Sequence, residues 1–271
     1  MQIRFYSSRW GWENMAWPEF CRRVREAGYD GVETSLPLND SRGTDAIMAA
    51  LAAEGLGLIA QHWETADPDF GRHHDEYRSR LEWLAAAKPA LINAQTGRDW
   101  FPREWNRALI AAAREISDRT GVPVLHETHR GKFSFSAAAT AEFLREDPRL
   151  RISADFSHWC AVSESLLADQ KESLDLAIGR ADHLHARVGH AEGPQVSDPR
   201  APEWREALEA HLAWWDRIVE CRRGAGAEVF TVTPEFGPAP YMPAIPYTGQ
   251  PVADLWAVNL HMMNLLRSRW A

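Results

Sequence analysis

Apolar residues along the chain fall into two alternating patterns. Short runs of four to eight residues, rich in β-branched and aromatic side chains, predict strands, and longer stretches with apolar residues three and four apart predict helices. The strand-like runs are IRFYS (3–7), GVETS (31–35), GLIAQHW (57–63), ALINAQT (90–96), PVLHETH (123–129), RISADF (151–156), HLHARV (183–188) and EVFTVTPE (228–235). Helical spacing follows in PEFCRRVREAG, HDEYRSRLEWLAAAK, REWNRALIAAAREISDRTG, SAAATAEFLRED, PEWREALEAHLAWWDRIVECRRG and VADLWAVNLHMMNLLRSRW. Pro18 and Pro202 stand at helix starts, where a missing N–H costs nothing, and Gly28 stands at a helix stop.

Eight strands interleaved with helices and no intervening linker predict one α/β domain over residues 1–271, a (β/α)8 TIM barrel. An open doubly wound sheet is the alternative, and it rarely needs so regular an eightfold count. The connections differ by type. Helix-to-strand joints are terse, as at Gly55-Leu56 and Thr120-Gly121-Val122, whereas strand-to-helix joints are long: SRWGWENMAW, TGRDWFP, HRGKFSFS, GHAEGPQVSDPRAP and FGPAPYMPAIPYTGQP. A barrel of this kind builds its site from those longer loops, at the carboxyl ends of its strands.

Composition then narrows the function classes. A net charge of −8 without a basic face disfavours nucleic acid as a partner. No apolar run approaches the roughly 18 residues of a membrane span, and the N-terminus has no apolar signal core, so a cytoplasmic protein is expected. Cys21, Cys160 and Cys221 are odd in number and lack CxxC spacing, which disfavours disulfides and structural zinc. Among thirteen tryptophans, Trp10, Trp12 and Trp63 lie at the ends of early strands and are candidates to pack on the carbon face of a sugar, although plain packing is the commoner role.

The strand ends are unusually polar. Glu33 ends the second strand, Gln61-His62-Trp63 the third, Asn93-Ala94-Gln95 the fourth and His126-Glu127-Thr128-His129 the fifth. Asp155, the His183/His185 pair and Glu235 end the last three. A lone carboxylate there is costly to desolvate, but one cation among Glu127, Asp155, His185 and Glu235 offsets that cost for all of them. Three carboxylates and an imidazole suit Mn²⁺, Mg²⁺, Co²⁺ or Zn²⁺. His183 and His185 share a face of their strand. His185, nearer the mouth, is the better ligand, and His183 fills a barrel layer or supports the site. His129 shares a face with Glu127 and meets either substrate or solvent. Arg130 and Lys132 are loop cations beside the site, of a kind that is usually solvated.

Glu127, the Asp155-x-x-His158 step, the His183-x-His185 pair and Glu235 resemble the xylose isomerase-like TIM-barrel superfamily, whose members include sugar isomerases and epimerases, dehydratases and apurinic endonucleases. The resemblance implies that Glu127, Asp155, His185 and Glu235 hold one divalent metal ion. It implies that Glu127 and Glu235 act as an acid/base pair, and that His158 reaches the substrate. Two departures matter. Ketohexose 3-epimerases of the group carry an Arg six residues beyond the metal-binding His, where this chain has Ala191; Arg187, two residues beyond, is the substitute. The further His ligands of the endonucleases are missing, which argues against a nuclease.

The function expected from these residues is a metal-dependent isomerase or epimerase of a sugar, sugar phosphate or keto-polyol, working through an enediolate. Gln61, Trp63, His129, His158 and Arg187 would contact the carbohydrate. A metal-dependent dehydratase that shares the first step is the alternative, and a non-catalytic sugar-binding barrel is the third reading. The loop 236–251 is a candidate lid, or a subunit contact if the protein is a homo-oligomer.

Overall fold

The computed structural model describes residues 1–271. Eight parallel strands, β1 (Gln2–Ser8), β2 (Gly31–Thr34), β3 (Gly57–His62), β4 (Ile92–Ala94), β5 (Val124–Glu127), β6 (Ile152–Ala154), β7 (Ala181–His185) and β8 (Val229–Thr233), pair in sequence order, and β8 closes on β1. The expected (β/α)8 barrel is therefore the observed fold. Nine α-helices surround it: α1 (Trp17–Glu26), α2 (Ser41–Ala53), α3 (Phe70–Ala86), α4 (Arg103–Thr120), α5 (Ala137–Glu146), α6 (Ser157–Ser163), α7 (Lys171–Ile178), α8 (Arg205–Gly224) and α9 (Leu255–Arg269). The sequence patterns had picked out six of these. The missed α6 and α7 are short, at seven and eight residues, and α2 is anchored by its cap, with the Asp40 carboxylate accepting from Gly43 N–H at 2.9 Å. No helix is long and apolar enough to cross a membrane.

A continuous apolar core of 58 residues occupies the layer between strands and helices. The inside of the barrel is different. Paired residues of parallel strands point the same way. The register around the ring therefore places Tyr6, Gly31, Glu33, Ile59, Gln61, Asn93, Leu125, Glu127, Ser153, His183, His185, Thr231 and Thr233 on the inward face. A small separate cluster of Tyr6, Ile59, Leu91 and Leu125 supplies the apolar filling there. Tyr6 fits because Gly31 and Gly57 have no side chains; a Cβ on Gly31 would come within 2.4 Å of its ring. Toward the carboxyl ends the interior is polar, where barrels of this kind are usually filled with Val, Ile and Leu. A register shift between Ile152 and Ser153 sets His183, not Asp182, opposite Ser153, and so keeps both β7 histidines facing inward.

Candidate active site

A cavity of about 380 Å³ opens at the carboxyl ends of the strands. Gln61, Trp63, Glu127, His129, Arg187 and Glu235 line it, as do Trp10, Gln95 and Tyr241. Asp155, His158 and His185 are buried behind these walls. The structure thus brings together, in two layers, the residues expected to hold the metal and those expected to contact the carbohydrate.

Below the cavity, Glu127, Asp155, His185 and Glu235 offer ligand atoms that all lie within 4.8 Å of one another. His185 Nδ1 stands 2.8 Å from Glu235 Oε2, and 4.0 Å from both Glu127 Oε1 and Asp155 Oδ2. It nevertheless makes no hydrogen bond of proper geometry. An orphaned buried nitrogen facing three carboxylates is the arrangement a divalent cation satisfies. The electrostatics agree. Burial pushes the Glu127 carboxyl up to about 8, with Glu235 and Asp155 adding to the effect and His185 opposing it. Burial alone would lower His185, but Glu235 and Glu33 carry its imidazole well above the usual range. A proton there partly neutralises the acidic cluster, a task to which a metal ion is better suited. The donor set fits the metal implied by the resemblance.

Each carboxylate is braced. Gln61 Nε2 donates to Glu235 Oε1 at 2.9 Å, Asn93 Nδ2 to Glu127 Oε2 at 2.9 Å, and Gln95 Nε2 to Glu127 Oε1 at 3.3 Å. Asp155 accepts from the backbone N–H of Ser157 at 3.2 Å, from the Ser157 hydroxyl and from Arg187 Nη2. Glu33 is fully buried beneath them and accepts from His185 Nε2 at 2.8 Å, His183 Nε2 at 3.2 Å, Thr233 Oγ1 at 2.5 Å and Asn93 Nδ2 at 3.0 Å. The sequence marked Glu33 only as a polar strand end. Its inward register opposite Ile59 was the signal that could have placed it.

Arg187 joins the two layers. Its guanidinium pairs with Asp155, lies 3.5 Å from Glu235 Oε2, and sits under the Tyr241 ring at 4.8 Å. Gly189 lets the β7 loop press on α6, since a Cβ there would come within 2.6 Å of the Ser157 carbonyl oxygen. His158 lies in the first turn of α6. Its Nε2 accepts from Arg187 Nη2 at 3.0 Å and its ring lies 3.9 Å from that of His129, tilted by 45°. Burial, reinforced by neighbouring cationic groups, holds His158 well below its usual range, hence neutral. It therefore touches the cavity through Arg187 and His129, with no lining surface of its own.

Of the three tryptophans considered, Trp10 and Trp63 line the cavity. Trp12 does not: it packs edge-on against Trp256 at 5.4 Å and under Arg23. Lys132 is not a solvated loop cation, being only 5% exposed, and burial pushes its ammonium down to about 8. Tyr241 went unnoticed in the long loop after β8, where nothing in its spacing marks it as a wall.

No curated protein matches the chain by sequence. Solved structures share its fold. They include the 3-keto-D-glucoside 4-epimerase of E. coli, at 17% identity over 98% of this chain and 100% of that one, with a TM-score of 0.66. The D-allulose 3-epimerase of Methylomonas sp., in complex with D-allulose, is 15% identical over 99% and 98%, also at 0.66. The probable 3-DHS dehydratase of Bacillus anthracis is 18% identical over 97% and 99%, at 0.60. A family profile described as xylose isomerase-like TIM barrel matches residues 21–194. The chain belongs to the xylose isomerase-like TIM-barrel family.

Proposed function

We propose that the protein is a divalent-metal-dependent isomerase or epimerase of a sugar, sugar phosphate or keto-polyol. The observation that carries this reading is the convergence of Glu127, Asp155 and Glu235 on the orphaned Nδ1 of His185, the four residues coming from four consecutive strand ends beneath a polar cavity with aromatic walls. Two solved structures of the same fold bear the names of sugar epimerases, which supports a carbohydrate substrate.

A divalent cation held by Glu127, Asp155, His185 and Glu235 would supply Lewis acidity. The chain's own residues do the rest. Glu127, at the end of β5, and Glu235, just beyond β8, both line the cavity, so one can take a proton from the carbon next to the carbonyl while the other returns it. Glu127, braced by Asn93 and Gln95, and Glu235, braced by Gln61, are the acid/base pair of this reading. Arg187, held under Tyr241 and against Asp155, presents its charge to a substrate oxygen on which negative charge develops. Trp10 and Tyr241 pack on the carbon face of the sugar, and Gln61, Gln95 and His129 bond its hydroxyls.

The test is metal analysis of the wild type and Glu235→Gln, together with α-proton exchange in D₂O over a panel of ketoses and keto-polyols. Near-stoichiometric metal, with exchange by the wild type and not by the variant, is the expected result. Metal-free wild type after expression with ample metal would overturn the reading. The probable dehydratase among the solved structures favours one second reading, and release of an unsaturated product would identify it. Ligand binding without exchange would identify a non-catalytic binder.

A further inference from the structure

We infer that Glu33 is a positioning residue that fixes the tautomer of His185 and thereby sets the affinity of the site for its cation. The inference rests on the metal reading above. In a neutral imidazole one ring nitrogen carries the proton and the other offers a lone pair. A carboxylate can only accept, so the 2.8 Å contact from His185 Nε2 to Glu33 Oε1 requires the proton on Nε2. The lone pair is left on Nδ1, the nitrogen that faces Glu127, Asp155 and Glu235 and has no hydrogen-bond partner. A carboxylate behind a ligating imidazole also raises its basicity.

Glu33 is itself held from three directions. Oε1 takes Asn93 Nδ2 as well, while Oε2 takes His183 Nε2 and Thr233 Oγ1. His183 Nδ1, on the far side of its ring, faces the Thr231 hydroxyl at 2.7 Å and the Thr231 carbonyl oxygen at 3.0 Å. Glu33, His183 and His185 also lie close enough together to hold an ion. Their facing atoms, however, are already bonded to each other, unlike His185 Nδ1, so this group is a brace and not a second metal site. The competing possibility is that Glu33 merely pins β2 to β4, β7 and β8, with no influence on the metal.

Mn²⁺ titrated into apo wild type, Glu33→Gln and His183→Gln, with the free ion read by electron paramagnetic resonance, separates the two. Glu33→Gln should raise the Mn²⁺ dissociation constant about 10- to 100-fold, while His183→Gln, which keeps the bond to His185, should shift it no more than roughly threefold. The apo melting temperatures identify a variant that simply unfolds. If Glu33→Gln does not fold, ¹⁵N-histidine NMR of the Zn²⁺-loaded wild type reads the tautomer directly, and Nε2–H on His185 is expected. Unchanged Mn²⁺ affinity in a folded Glu33→Gln, or zinc on Nε2, would overturn the inference and leave the metal reading standing. A wild type that binds no divalent ion would sink both.

Discussion

Gln61 reaches across the barrel interior from β3 to donate a hydrogen bond to Glu235 Oε1, 2.9 Å away. The two residues are 174 positions apart in sequence, yet the amide gives the proposed base a fixed orientation. Gln61→Met keeps the volume and removes the donor. Its kcat for α-proton exchange should fall about tenfold or more, as for other partners that orient a ligating carboxylate, with the melting temperature nearly unchanged. Exchange at the wild-type rate would show that Glu235 is oriented by other contacts.

Gly237 gives Trp10 its place in the cavity wall. A Cβ at Gly237 would lie 2.0 Å from Cζ3 and 2.2 Å from Cη2 of the indole, so any larger residue must push the ring away. Such overpacking costs roughly 1–3 kcal/mol. In Gly237→Ala the KM for the substrate should rise about tenfold, the equivalent of about 1.4 kcal/mol, while metal content stays at the wild-type level. Loss of metal together with KM would mean that the disturbance reaches the floor of the site.

His211 should make the fold acid-sensitive. It is fully buried behind the β7 loop, where Nε2 accepts the Gly189 N–H at 3.2 Å and Nδ1 donates to the Ala207 carbonyl at 2.8 Å. Burial pushes its imidazole down to about 4. In the unfolded chain it titrates near 6.5, so between these values the unfolded state binds more protons and is favoured. The stabilisation is complete above about pH 6.5 and is lost as pH falls through the folded value. Between about pH 7 and about pH 5, wild type should lose roughly 2 kcal/mol more than His211→Gln, measured by urea unfolding. Equal losses in the two proteins would show that another group carries the acid sensitivity.

The eight strands were legible because period-two and continuous apolar runs sit between turn residues, and the observed boundaries lie within two residues of those runs at most ends. The four-residue cluster was legible for a related reason. Glu127, Asp155, His185 and Glu235 are charged or titratable residues at points where an apolar strand stops, a place that burial makes costly unless something shares the charge. What stayed hidden depends on pairing between distant strands. Glu33 looks like any other polar strand end until β2, β4, β7 and β8 are closed around it. The setting of His158 stayed hidden because α6, only seven residues long, has too little periodicity to be recognised, and a helix turn sends the side chain sideways onto Arg187 and His129. Tyr241 and Lys132 take their positions from long loops, whose paths neither period describes.

The ligand set and its braces come from opposite halves of the chain. Glu127, Asp155, His185 and Glu235 belong to β5 through β8 and the residues just beyond them, whereas Glu33, Gln61 and Asn93 belong to β2 through β4. The bonds between the halves span up to 200 residues of sequence, as from Thr233 to Glu33. Contacts of such long range are slow to form, because the loop-closure entropy is spent before they repay it. The site is therefore a product of ring closure. A chain still emerging from synthesis presents Glu33, Gln61 and Asn93 before the ligands they aim, and a cation captured once all are in place would favour the closed ring over every earlier state, by about 2.7 kcal/mol at a hundredfold excess over the dissociation constant. A cation held there would thus also act as the clasp of the barrel.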